Sequence, residues 1–201
     1  MHVVGLSLAA IGGIVLLALA AGSHSAAKVA GVAVYAAGVV LMLALSAAYN
    51  FTSDRRRPFF RRLDRAGIFV MIAGSYTPFT TLVLTGPWSV GMTIAVWSIA
   101  AAGALGQIFF PRLDRRIWAV FYLAMGWLVV VALQPVIQRT YWIALALLAL
   151  GGVVYSVGVI FHLNRRLTFG RAIWHGCVVA AAGAHWAAVL VGVVLAAPTP
   201  A

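Results

Sequence analysis

Seven stretches of this sequence carry almost no charge and run for about 17–25 residues each, the length of chain that crosses a hydrocarbon layer as one helix. They are roughly Val3–Ala21, Val29–Ala48, Ala66–Leu84, Trp88–Phe110, Ile117–Leu133, Tyr141–His162 and Ala172–Ala196. Lipid offers no partner to an open backbone group, so a spanning segment must be a helix or part of a closed barrel. Barrel strands would alternate over about ten residues, and these runs do not alternate. The composition agrees: 64% of the 201 residues are hydrophobic and 8% are charged, where a soluble domain carries about 25% charged residues. A soluble enzyme and a disordered chain are excluded on those grounds. A disulfide scaffold is excluded by the single cysteine, Cys177. The expected fold is all-α, a polytopic seven-transmembrane bundle forming a single domain over residues 1–201.

The net charge is +11. In a soluble chain that balance suggests nucleic acid, but no basic helix or aromatic platform accompanies it, and nucleic acid is not an expected partner. The charge instead reads as topology. Numbering the loops by alternation, the second, fourth and sixth hold Arg55, Arg56, Arg57, Arg61, Arg62, Arg65, Arg112, Arg115, Arg116, Arg165, Arg166 and Arg171. The opposite side holds Lys28 and Arg139. Twelve of 14 basic residues on one side predict a cytoplasmic N-terminus and an outside C-terminus. The arginine, alanine and valine richness suggests a bacterial source. A multi-pass protein of the bacterial plasma membrane, with membrane lipids as its partners, is the expectation.

The first run is read as an anchor rather than a signal, because Met1–His2 lacks a positive n-region. Gly12, Gly13, Gly103, Gly126, Gly151, Gly152 and Gly183 lie inside the runs, where small residues let helices approach closely. Pro78 is a candidate kink in the third.

Polar residues gather near the arginine-rich ends. Ser46 and Asn50 are four apart at the end of the second run, and Arg171 and His175 are four apart at the start of the seventh; that spacing puts each pair on one face. Asp64 opens the third run beside Arg65. Alternation places all of these at similar depth, where an ionisable group should face the bundle or water. Each also has a structural reading. Asp64 would complement a helix dipole, Ser46 would bond back to its own helix, and His175 would be a satisfied interior histidine. Taken together, on three helices at one level, they suggest a polar chamber.

Ser46-Ala-Ala-Tyr-Asn50, Arg62-Leu-Asp64-Arg65-Ala-Gly-Ile-Phe and Ala73-Gly-Ser-Tyr-Thr-Pro-Phe79 resemble the hemolysin III family, whose eukaryotic relatives are the progestin and adipoQ receptors. Tyr122-Leu-Ala-Met-Gly-Trp127, Gly151-Gly-Val-Val-Tyr155 and Ile173-Trp-His175 follow in order, so the likeness covers residues from about 40 to 190. The resemblance implies a zinc site of three histidines. One ends Ser-x-x-x-His on the second helix and two form His-x-x-x-His on the seventh, with an aspartate on the third contacting zinc through water. Here Asn50 and Arg171 stand where two histidines would be, His175 and Asp64 remain, and Arg65 follows Asp64 where many bacterial members have histidine. His185 falls at another position where relatives carry histidine, and its neighbour Trp186 favours a packed interior role.

Zinc wants three or four N, S or O ligands. One imidazole and one carboxylate are too few, so no cofactor is expected. His162 lies at the right end to assist, and Cys177 points to a different face from His175. The reading is a metal-free, non-catalytic member acting in membrane homeostasis or lipid sensing, with Arg171 paired to Asp64 in place of the metal. The alternatives implied by the resemblance are a zinc-dependent hydrolase of lipid amides, with Asp64 and Ser46 as its catalytic residues, and a pore-forming cytolysin. A small transporter is disfavoured, because no broken helices recur in matched halves.

Overall fold

The computed structural model describes residues 2–110, 112–164 and 167–196, with the side chains of His2 and Arg171 outside that description. The described chain is all helix and turn. Helix α1 spans His2–Ala21, α2 Ala26–Phe51, α3 Arg57–Leu82 and α4 Gly86–Phe109. A fifth rod is built from α5, Arg115–Gly126, a 3-10 turn over Leu128–Ala132, and α6, Leu133–Arg139. Helix α7 spans Trp142–Leu163, and α8 spans Gly170–Val189, ending in a π turn at Leu190–Val194. Rods one to seven follow the seven apolar runs, so α7 and α8 are the sixth and seventh.

Local chemistry explains the boundaries. Ser25 opens α2 by accepting the Lys28 N–H at 3.3 Å, and Asp114 opens α5 by accepting the Arg116 N–H at 2.7 Å. These are ordinary N-caps that satisfy donors with no partner inside the helix. Gly86 begins α4 with φ +55, a left-handed setting that glycine tolerates, and proline follows it in the first turn. The fifth rod breaks where Pro135 removes an N–H and its ring crowds the carbonyl four residues back. The apolar run stopped at Leu133, but the rod resumes helix to Arg139. Helix α3 continues unbroken through Pro78. Thr77 donates to the Ala73 carbonyl at 2.9 Å and Thr81 to the Thr77 carbonyl at 2.7 Å.

Six rods are long and apolar enough to cross a membrane: all but α3. Large apolar side chains such as Ile11, Ile94, Val131 and Ile160 stand 60–67% exposed on them. Apolar exposure of that extent suits a lipid solvent and not water. The protein is therefore a polytopic membrane protein. Helix α3 falls short because its first turns carry four arginines and Asp64, and its middle reads Gly-Ser-Tyr-Thr-Pro.

The rods group into two compact units, Met1–Leu113 and Asp114–Ala201. In the first, α2 packs on α3 along a line of glycines. A Cβ added to Gly38 would lie 3.3 Å from the Val70 carbonyl oxygen and 3.5 Å from the Met71 Cα. Helix α4 joins α3 through side chains: the Trp97 indole donates to the Thr77 hydroxyl at 3.1 Å, and the Thr93 hydroxyl to that of Thr80 at 2.9 Å. The Phe69 ring occupies the space that a Cβ on Gly103 would need, and it is 1% exposed. In the second unit α7 packs on α8, and the fifth rod is tied to α7. The Trp127 indole donates to Ser156 at 3.0 Å and lies over Gly152. Arg115 donates to the Leu163 carbonyl at 2.8 Å, meeting the negative end of α7 with a cation.

Candidate functional site

The antiparallel register of α2 on α3 fixes where the polar residues lie. Gly31 faces Pro78 and Leu82, Gly38 faces Met71 and Gly74, and Gly67 faces Met42 and Leu45. Each step of seven toward the end of α2 is a step of about seven back along α3. One more turn in that register brings Ser46 level with Asp64. These two candidate residues therefore share one depth and one helix pair, as the sequence pattern implied. Both are half-buried, and each makes a polar or electrostatic contact.

Asn50 is exposed. Its side-chain amide nitrogen donates to the Ser46 backbone carbonyl at 2.8 Å. That bond is a second, side-chain donor to a carbonyl inside α2, four residues back along the same helix. The amide nitrogen has no lone pair to offer a metal, and a neutral amide oxygen is not among the donors that zinc usually takes.

One sequence reading is corrected here. The apolar pattern puts Asp64 at a helix N-terminus, where it would complement the dipole. Helix α3 begins at Arg57, and its first turn holds no acidic residue. Asp64 lies about two turns inside, beyond the single turn over which a dipole effect persists. The apolar run began at Ala66, because arginine marks the end of apolarity without ending a helix.

The remaining candidates belong to the second unit. His175 is half-buried on the second turn of α8. Arg171 is in the first turn of the same helix, and its side chain lies outside the described residues, as do Arg165 and Arg166. His162, at the end of α7, sets its ring 5.0 Å from that of Trp174. The Cys177 Cβ and the Trp174 ring press on Gly158, so this cysteine packs against α7. Within either unit, among the described residues, no three His, Cys, Asp or Glu side chains gather as a metal site.

Deeper in this unit, His185 behaves as the packed residue that its setting suggested. Its ring fills the space a Cβ on Gly151 would need, it bonds the Leu148 backbone, and it meets the Tyr155 ring edge-on at 5.7 Å. The Tyr155 hydroxyl is buried with no hydrogen-bond partner among the described residues. Sequence reasoning missed Tyr155. Its signal was the four-residue step from Gly151, which stacks it on the face that receives His185.

The glycine expectations divide. Gly13 meets Ala36, while Gly103, Gly151 and Gly152 each receive a ring. Gly126 and Gly183 have nothing within 4 Å of a Cβ, so they are not packing positions. Gly38 and Gly74, which the sequence reading did not single out, each face backbone of the neighbouring helix.

The family model described as Haemolysin-III related matches residues 1–186. The chain is 31% identical over 190 residues to a hemolysin-3 homolog of Bacillus subtilis (strain 168), covering 94% of this chain and 89% of that one. It is 33% identical over 176 residues to hemolysin-3 of Bacillus cereus, covering 87% and 80%. It is 29% identical over 163 residues to the human monocyte to macrophage differentiation factor, covering 78% and 67%. A match over nearly the whole chain, on a membrane-helical fold with the Ser46 and Asp64 positions brought level, shows that this protein belongs to the haemolysin-III related family.

Proposed function

We propose that this protein is a metal-free, non-catalytic member of its family that acts in membrane homeostasis or lipid sensing. The observation that carries the reading is Asn50. Its amide nitrogen bonds back to the Ser46 carbonyl of its own helix at 2.8 Å, where the family resemblance places a zinc-binding histidine. Asp64 and His175 are the remaining donors, and a carboxylate with one imidazole falls short of the three or four that zinc takes. The residues present do not fit the metal, and no step through it is derived.

In its place we assign the role of fixed cation to Arg171, paired with Asp64. A guanidinium offers five donors in a planar fork that matches a carboxylate. The charge of Asp64 is then met without an ion. The bacterial plasma membrane is the setting, in keeping with the two Bacillus relatives.

The same reading has α3 crossing the bilayer as the third of seven spans. Its 26 residues reach about 39 Å as helix, and it runs antiparallel to α2, a candidate span itself. With seven crossings the 14 basic residues divide twelve to two. With α3 kept on one side they divide seven to seven, and the charge rule has nothing left to act on.

Restoring the ligands tests the assignment. The double change Asn50→His with Arg171→His places three histidines with Asp64. The variant gains stoichiometric zinc and a zinc-dependent rise in thermal stability that the natural chain lacks. A variant that binds no more zinc than the natural chain rejects the proposed geometry.

A further inference from the structure

The turn between α2 and α3, with the first turns of α3, carries more charge than topology needs. Arg55, Arg56, Arg57, Arg61, Arg62 and Arg65 fall within eleven consecutive residues. Arg57 is paired with Asp54 at 3.2 Å. Arg55, Arg56 and Arg61 are exposed and have no ion-pair partner among the described residues. Arg62 reaches across to the end of α4, where its guanidinium donates to the Ile108 carbonyl at 3.4 Å. That bond makes the end of α4 part of the same rim and adds the exposed Arg112.

Aromatic rings lie beside the arginines. Phe51 and Phe59 flank the turn, with Phe109 and Phe110 at the end of α4, all 60–71% exposed. Phe59 also meets Phe60 edge-on at 5.5 Å. Helix α2 is a candidate span that ends at Phe51, and α4 is one that ends at Phe109, so the rim lies at headgroup depth. Exposed phenylalanine there settles into the acyl boundary, which leaves the guanidiniums level with the phosphates.

We propose that this rim binds the phosphodiester of anionic phospholipids in the adjoining leaflet. Guanidinium takes two phosphate oxygens in a bidentate bond that an ammonium cannot form. A basic side chain at this depth is also drawn to an anionic leaflet. A zwitterionic lipid has the same phosphate, but its own ammonium competes for it. The inference rests on the proposed crossing of α3, which puts the ends of α2 and α4 on one face and Arg139 on the other, and is independent of whether the chain holds a metal.

Native mass spectrometry of the full chain, titrated with phosphatidylglycerol or phosphatidylcholine, tests it. The natural protein retains phosphatidylglycerol in clear preference, and the preference shrinks as salt is raised. This arm needs no variant. Equal retention of the two lipids, or a preference indifferent to salt, overturns the proposal. The variant R55Q/R56Q/R61Q removes exposed, unpaired groups and loses about a hundredfold in phosphatidylglycerol affinity, roughly fivefold for each arginine. R139Q, on the other side by loop alternation, leaves it unchanged. Undiminished affinity in the triple variant, or an equal loss in R139Q, contradicts the site. Millimolar inorganic phosphate leaves the lipid bound. Displacement by it would assign the rim to free phosphate instead.

Discussion

Gly38 and Gly74 face each other across α2 and α3 so closely that a methyl on Gly74 would lie 3.6 Å from the Gly38 Cα and 3.2 Å from the Val34 carbonyl oxygen. This contact sets the register that brings Ser46 level with Asp64. Membrane helices gain little from apolar burial against one another, so close backbone packing carries much of their association. Gly74→Ala and Gly38→Ala should each cost about 1–3 kcal/mol, the usual penalty of overpacking. Gly183→Ala meets open space and should be neutral or stabilising by about 0.5–1 kcal/mol. Thermal unfolding in detergent checks all three, and equal effects at Gly74 and Gly183 would remove the argument for the register.

The Phe69 ring occupies the Cβ position of Gly103. Gly103→Ala should therefore destabilise the α3–α4 pair, by about 1–3 kcal/mol. Adding Phe69→Leu, which withdraws the ring, should recover part of the loss although it is costly by itself. The measurement is a double-mutant cycle, in which residues in contact couple by about 0.5–3 kcal/mol. Strict additivity would place the ring elsewhere.

Asp64 separates two accounts of its own role. A carboxylate serving only a helix dipole is worth about 0.3–1 kcal/mol, and its place two turns inside α3 already argues against that service. As the partner of Arg171, Asp64→Asn should cost about 3–5 kcal/mol, because a cation is left uncompensated. Unfolding of the variant in detergent gives the number, and a loss below about 1 kcal/mol rejects the pair.

The helices were legible because a bilayer demands long uncharged runs. Their ends were not, because apolarity and helix formation stop for different reasons. Arginine is a good helix former, so α3 starts nine residues before its apolar run, and Asp64 moved from a terminus to an interior turn. The break at Pro135 and the helix resumed to Arg139 were not legible, because the apolar run stopped at Leu133. The close approach of Gly38 to Gly74 depends on which faces meet, and no single helix carries that information. At the site, spacing put Ser46 and Asn50 on one face of α2, while the apolar pattern put Asp64 at a helix end instead of about two turns inside α3. The bond from Asn50 back to Ser46 was not legible, because an asparagine four residues after a serine is equally free to point outward.

Topology distinguishes seven crossings from six. A reporter fused after Ala201 should read outside, and one inserted near Phe59 should read cytoplasmic. The two are expected on opposite sides, since an odd number of spans separates the termini. Both reporters on one side would mean that α3 does not cross.

Metal content of the purified protein addresses the central claim directly. The natural chain, expressed in zinc-replete medium and extracted in detergent free of chelator, is analysed for metal per mole of protein. With Asn50 bound to its own helix and two ligand donors left, the account predicts no stoichiometric zinc and no change in thermal stability when zinc or a chelator is added. One zinc per chain, lost on chelation together with thermal stability, would contradict it.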